Sequence, residues 1–179
     1  LKDFWQGEGL IHNYPIGYTV EYKDLFLGLD DPEYPSAAKA LYDYNPDKAK
    51  QLLKEAGYPN GFGITLSGPN NRYINDDQVL QAVAQMFTRV GIQTKVEALP
   101  LAVYFPKARK DETTVSLLGW GSFSGDLALR SLLATPDATR GWGSWNWGKS
   151  SNAKLDQLLT QAFATTDPKA REAVVRDAM

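Results

Sequence analysis

The residues that could do chemistry gather late in the chain, and most are aromatic. Val115 to Asp126, VSLLGWGSFSGD, runs from an apolar segment into three glycines, Trp120 and Phe123, and ends on an isolated carboxylate, Asp126. Residues 140–151, RGWGSWNWGKSS, then place Trp142, Trp145 and Trp147 among small and polar neighbours. Rings beside glycines suit stacking on a solute, because glycine lets the backbone approach and bares the adjacent ring. Trp120, between Gly119 and Gly121, is therefore read as a ligand contact ahead of its alternative, a strand-end core residue. With Gly121, Ser122 and Phe123 it makes the first candidate group. For the three later tryptophans, stapling of a long loop is set slightly ahead of pocket lining, with one of them expected to face a cleft. Trp142 and Trp145 join the candidates, and Asn146 is a candidate polar contact.

The charged residues invite plainer readings. Asp126 either accepts from a cationic ligand or caps a helix starting at Leu127, and capping is preferred, since an aspartate before an apolar helical run is what a helix N-terminus asks for. Arg130 and Arg140 could hold a carboxylate but are read as solvated surface charges. Asn70, Asn71 and Arg72, in the loop GPNNRY, carry the same ambiguity, and Asn70 is kept as a candidate contact. His12 is the only histidine. A single histidine in an irregular stretch is a poor basis for a Ser-His-Asp site, and it lacks metal-ligand spacing with the scattered carboxylates. The absence of cysteine excludes a thiol nucleophile and thiolate metal sites. Neither GPNNRY nor GWGSFSG matches a phosphate loop or dinucleotide fingerprint. No enzyme signature, metal or cofactor is implied.

These candidates sit in 179 residues, enough for one domain or one large lobe. With 19 basic and 21 acidic residues the formal charge is −2, so no basic face for nucleic acid is implied. No apolar run approaches the ~20 residues that a transmembrane helix needs. The chain starts without a leader pattern, and its last helical stretch, opened by Asp167 and Pro168, reaches Met179 without a C-cap. Both ends are expected to be truncated.

The elements that must position the candidates follow from periodicity. Residues 1–43 have no clean period and are read as an irregular, aromatic-rich segment packed on a domain surface. Asn45 as N-cap and Pro46 at N1 open a helix with Ala49, Leu52, Leu53 and Ala56 on one face, stopped by Gly57. Asn60-Gly61 turns into a strand carrying Phe62, Ile64 and Leu66. A second helix, capped at Asn75 or Asp76, presents Val79, Leu80, Val83, Met86, Phe87 and Val90. A second strand follows over residues 92–98. A third helix, residues 101–110, should be kinked or broken by Pro106, and a third strand spans residues 113–120. A short helix over residues 127–134, a loop over residues 135–149 and a helix with Leu155, Leu158, Leu159, Ala162 and Phe163 inward complete the chain. The fold class is α/β: a βαβαβ core over residues 44–121 with a parallel sheet flanked by helices, then loop and helices over residues 122–179, all in one lobe. Ligands of open parallel sheets bind beyond the strands' carboxyl ends. That rim comprises residues 67–71, 99–101 and 119–126.

The stretch YNPDKAKQLLKEAGYPNGF, residues 44–62, resembles a hallmark of the family 5 extracellular solute-binding proteins, the dipeptide, oligopeptide and nickel receptors of ABC importers. The likeness continues through RVGIQTKVE, LLGWG and SSNAKLDQLLTQAFATTDPKAREAV, in family order from Tyr44 onward. The resemblance implies a type II periplasmic-binding-protein lobe, here most of the second of two lobes that close on a small solute and present it to a membrane permease. It further implies an extracytoplasmic protein, lipid-anchored in a single-membrane bacterium, acting as a monomer and not as an enzyme. Peptide-binding members commonly carry an aspartate shortly after the matching Gly-Trp, for the peptide's amino group; here Gly121, Ser122 and Phe123 stand there and the first carboxylate is Asp126. The alternative from another class is a carbohydrate-binding or carbohydrate-active module using the tryptophans. Hydrolysis would need two facing carboxylates, and only Asp126 and Asp137 lie near.

Overall fold

A computed structural model describes residues 29, 32, 34–122 and 124–179. Expectations for the leading segment through residue 28, including His12, and for Phe123 lie outside the described residues. The described chain forms two compact units, Ser36–Gly119 and Trp120–Met179.

The first unit opens with a four-residue helix, α1 (Ser36–Lys39), running into a 3-10 turn, Ala40–Tyr42, where the sequence suggested only irregular chain. Helix α2 (Pro46–Glu55) starts as its cap predicts: the Asn45 side chain accepts from the Lys48 N–H at 2.9 Å. It ends at Gly57, whose φ of +88° suits a residue without Cβ. None of its residues is buried, and Leu52 is 51% exposed.

Strands β1 (Gly63–Pro69), β2 (Gln93–Leu99) and β3 (Val115–Ser116) form a parallel sheet in the order β2-β1-β3. The expected βαβαβ arrangement is therefore present. Helix α3 (Asp76–Arg89) lies on β1 and β2. Leu66, Leu80 and Ala84 are the buried centre, joined by Val83, Val96, Ala98, Val115 and Leu117. Met86, expected inward, is 52% exposed, because the buried stripe runs through Leu80 and Ala84 instead.

Two expectations need correction. Helix α4 (Leu101–Arg109) runs unbroken through Pro106. A proline there removes one main-chain bond from a short helix, while Tyr104 and Ala108 on its inner face are fully buried, and that packing outweighs the loss. Strand β3 is two residues long, not eight. The last bond of its ladder runs from the Leu117 N–H to the Ser67 carbonyl. The next in a parallel register would be donated by residue 69 to the Leu117 carbonyl, and Pro69 has no N–H to give. The Tyr104 hydroxyl donates to that carbonyl instead, at 2.8 Å.

The second unit comprises α5 (Gly125–Leu132), α6 (Ala153–Ala164) and α7 (Pro168–Ala178). Its core joins Ala128, Leu129, Ala134, Trp142, Leu155, Leu159, Ala162 and Val175. Phe163, expected inward, is 44% exposed. Helix α5 begins two residues before the expected Leu127 and is capped by Ser124, whose hydroxyl accepts from the Leu127 N–H at 3.4 Å. Asp126 falls inside the first turn and accepts from the same N–H at 3.0 Å. It therefore supports the helix start without being its cap.

Candidate functional site

The carboxyl ends of β1 and β2 deliver the loop of residues 70–75. The Asn70 N–H donates to the Leu99 carbonyl at 2.9 Å, which ties the loop to the end of β2 and leaves the Asn70 side chain exposed. Asn71 is spent locally: its Oδ1 accepts from the Leu101 N–H at 2.8 Å and so seals the start of α4. Arg72 is exposed, with its guanidinium 5.1 Å from the centre of the Tyr73 ring.

Asp76 organises this loop from below. It is 3% exposed and accepts from the N–H groups of Arg72 (2.9 Å), Tyr73 (3.0 Å) and Asp77 (2.9 Å). Burial works to raise its pKa, but the N–H groups of Tyr73, Arg72 and Asp77, with its own, outweigh that and hold the carboxyl below the ordinary aspartate value. Asn75 takes the left-handed conformation, φ 55°, that turns the chain into α3. In the sequence Asp76 was legible only as a possible cap. Its role as acceptor for the loop depends on a fold-back that periodicity does not encode.

A second polar cluster was missed altogether. Glu97 on β2 accepts from Lys107 on α4 at 2.7 and 2.6 Å and from the buried Ser67 hydroxyl on β1 at 2.9 Å. The Lys107 hydrogen bonds, then that of Ser67, lower the Glu97 pKa. The signal available was the strand pairing itself, which sets Ser67 opposite Glu97. With Asp76 and Glu97 both satisfied internally, Arg72 is the exposed charge within the loop of residues 70–75.

In the second unit the tryptophans separate by role. Trp120 and Trp145 meet edge to face, with ring centres 4.9 Å apart, and Trp145 and Trp147 follow at 5.6 Å. Trp120 is half-buried, and its buried indole Nε1 has no hydrogen-bond partner among the described residues. Gly121 beside it is open: a Cβ there would meet nothing within 4 Å. The Ser122 hydroxyl donates to the Ser124 carbonyl at 3.0 Å, so it also shapes the start of α5.

Trp142 and Asn146 are placed differently. Trp142 is buried in the core, with the Arg140 guanidinium 3.4 Å over its ring. Arg140 also donates to the Thr160 hydroxyl at 3.0 Å. Asn146, also buried, donates to the carbonyls of Ala134 (3.0 Å) and Ser150 (2.8 Å) and accepts from the Ser150 N–H and hydroxyl (3.2 Å each). Both therefore hold the loop of residues 135–149 in place, a stapling role considered for the tryptophans, whereas Asn146 was read as a candidate polar contact. Arg130 lies with its guanidinium 5.3 Å from the centre of the Phe163 ring.

Comparison with known proteins decides the family. The family model for bacterial extracellular solute-binding proteins, family 5, middle part, matches residues 10–135. The chain belongs to this family. Among its relatives, the glutathione-binding protein GsiB of Escherichia coli K12 is 35% identical over 173 residues, covering 87% of this chain and 33% of GsiB. Heme-binding protein A of Haemophilus influenzae is 31% identical over 189 residues, covering 99% of this chain and 30% of that protein. Among solved structures, the periplasmic binding protein DppA from Helicobacter pylori, in complex with the peptide STSA, superposes with a TM-score of 0.66 at 28% identity. That match covers 76% of this chain and 26% of DppA. The chain thus spans about a third of the length of the curated relatives it matches. The type II periplasmic-binding-protein fold expected from the sequence is the fold of these neighbours, and the family sets aside the carbohydrate-module alternative.

Proposed function

We propose that this chain is part of the substrate-binding component of an ABC importer, which captures a small solute, peptide-like or another organic nutrient, and presents it to a membrane permease. The observation that carries the reading is the family match over residues 10–135, spanning the parallel βαβαβ unit whose strand ends bear an exposed polar loop. The complete protein works outside the cytoplasm as a monomer, with a lipid anchor if its bacterium has a single membrane. It does no chemistry on the solute and engages no nucleic acid. Capture proceeds by closure around the solute, binding energy shifting an open form towards a closed one.

In the first unit Asn70 offers an exposed amide and Arg72 a cation stacked on Tyr73, suited to a carboxylate or other anionic group of the solute. In the second unit Trp120, Gly121 and Trp145 form the contact set, with Ser122 beside them and Phe123 next in sequence. The Trp120 indole N–H, buried with no acceptor among the described residues, is the donor a solute carbonyl or carboxylate would satisfy. Trp142 and Asn146 are left out of this set because their side chains are committed to the core and the loop.

The test is native mass spectrometry of the complete protein to identify a co-purified solute, followed by calorimetric titration of that solute into wild type and the variants Arg72→Gln and Trp120→Leu. Each variant is expected to weaken binding about ten-fold or more. If panels of peptides and small anionic nutrients, glutathione included, all leave the complete protein unaltered in melting temperature, the receptor reading fails.

A further inference from the structure

Helix α4 starts without a cap of its own. Pro100 stands at its N-cap position with no side-chain bond to the helix, and its first turn carries no acidic residue. The first N–H groups of any helix lack partners inside it and take acceptors from elsewhere. Within the first unit the Leu101 N–H takes Asn71 Oδ1, at 2.8 Å and 30 residues back in the sequence. The loop of residues 70–75 thus supplies the cap that α4 lacks.

The same bond holds the loop. Helix α4 is fixed to the sheet, where Tyr104 donates to the Leu117 carbonyl and Lys107 to the Glu97 carboxylate. Asn71 fastens the loop to that fixed helix, while the Asn70 N–H is tied to the end of β2 and the Arg72 and Tyr73 N–H groups to Asp76 of α3. The two asparagines divide the work. Asn70 commits its main chain and leaves its amide exposed, whereas Asn71 commits its amide. We infer that Asn71 is a positioning residue: by capping α4 from the loop, it fixes the main-chain path of residues 70–72, from which the exposed Asn70 and Arg72 side chains depart. A loop ordered in advance loses less entropy on binding. The effect on affinity rests on the reading of Asn70 and Arg72 as solute contacts.

The experiment measures amide hydrogen exchange in the complete protein without solute, then binding. Asn71→Ala removes the acceptor. It is expected to speed exchange about three-fold or more at Leu101, and at Asn70 and Arg72 with it, relative to Leu66 on β1, which reports global opening. Leu101→Pro removes the donor instead, at the first helical position, where proline is tolerated. It is expected to loosen Asn70 and Arg72 alike, and it covers the case in which Asn71→Ala does not fold. Asn71→Asp keeps an acceptor oxygen at a helix N-terminus that favours negative charge, and is expected to keep wild-type protection. In the binding arm the probe is glutathione, titrated calorimetrically. Asn71→Ala is expected to weaken its binding about three-fold or more, and that loss is expected to vanish in an Asn70→Ala/Arg72→Gln background. Unchanged exchange at Asn70 and Arg72 in both Asn71→Ala and Leu101→Pro, or an equal loss of binding with and without those two side chains, overturns the proposal. A wild-type protein that ignores glutathione counts against the solute reading, and the exchange result then decides the role of Asn71 by itself.

Discussion

Replacing Asp76 with asparagine isolates the device that shapes the rim loop. The carboxylate serves three main-chain donors with two oxygens: Oδ2 takes Arg72 and Tyr73, and Oδ1 takes Asp77. An asparagine has one oxygen, so its amide N–H₂ must face a donor on the other side. At least one charge-assisted bond is lost, about 1.5–3 kcal/mol. The negative charge at the first turn of α3 goes too, about 0.3–1 kcal/mol more. The expected cost is about 2–4 kcal/mol in urea denaturation at neutral pH. The pH dependence has a fixed sign. The folded-state pKa of Asp76 is depressed, so its stabilisation is fully present above the unfolded aspartate value, about 3.9, and is lost as pH falls through the lower folded value. The gap between wild type and Asp76→Asn should therefore be constant near neutrality and close in acid. Amide hydrogen exchange gives the local readout, with Arg72 and Tyr73 exchanging faster in the variant while Leu66 on β1 changes only by the global loss. A difference below about 0.5 kcal/mol at pH 7, or one that does not narrow on acidification, would refute this account of the loop.

Three further outcomes follow from the packing. Lys107→Met should cost about 1 kcal/mol, because the Glu97 pair is partly exposed, and the difference from wild type should shrink in 1 M salt, where exposed charges are screened (Debye length about 3 Å). Gly61→Ala should unfold or severely destabilise the first unit, by about 3 kcal/mol or more, since its Cβ would lie 1.7 Å from the Gly91 carbonyl oxygen at a φ of +71°; calorimetry reads this directly. Trp142→Ala should lose about 3–5 kcal/mol, whereas Trp120→Ala, half-buried, should lose clearly less, a contrast that thermal denaturation of the two variants checks.

Local signals were legible wherever one residue type has one use. Asn45-Pro46, Gly57 and Asp167-Pro168 marked helix ends that the structure keeps. Alternation marked β1 and β2, and the order of elements implied the parallel sheet. The failures share a cause: the deciding partner was distant in sequence. Pro106 was read as a helix breaker because the burial of Tyr104 and Ala108 cannot be seen locally. Strand β3 was read too long because its ladder depends on Pro69, 46 residues before Val115. Asp126 was favoured as a cap, but the helix starts two residues earlier than expected, which puts Ser124 at the N-cap position. For the candidate site, glycine-flanked Trp120 was visible as a candidate, but the division between Trp145, packed on Trp120, and the core-bound Trp142 was not. The Tyr73–Gly119 hydrogen bond had no sequence signal, since it joins residues 46 positions apart.

The proline at the end of β1 has a consequence for how such a rim can change. A ladder bond joins two main chains, so no exchange of one side chain other than to proline deletes it. Where Pro69 withholds its donor, the Leu117 carbonyl is held by the Tyr104 hydroxyl instead, and beyond the ladder the Gly119 carbonyl accepts from the Tyr73 hydroxyl. Each of those holds is separable by a single tyrosine-to-phenylalanine exchange that leaves the sheet intact. The edge of the sheet is thereby transferred from backbone control to side-chain control, and its fine geometry becomes open to selection one residue at a time.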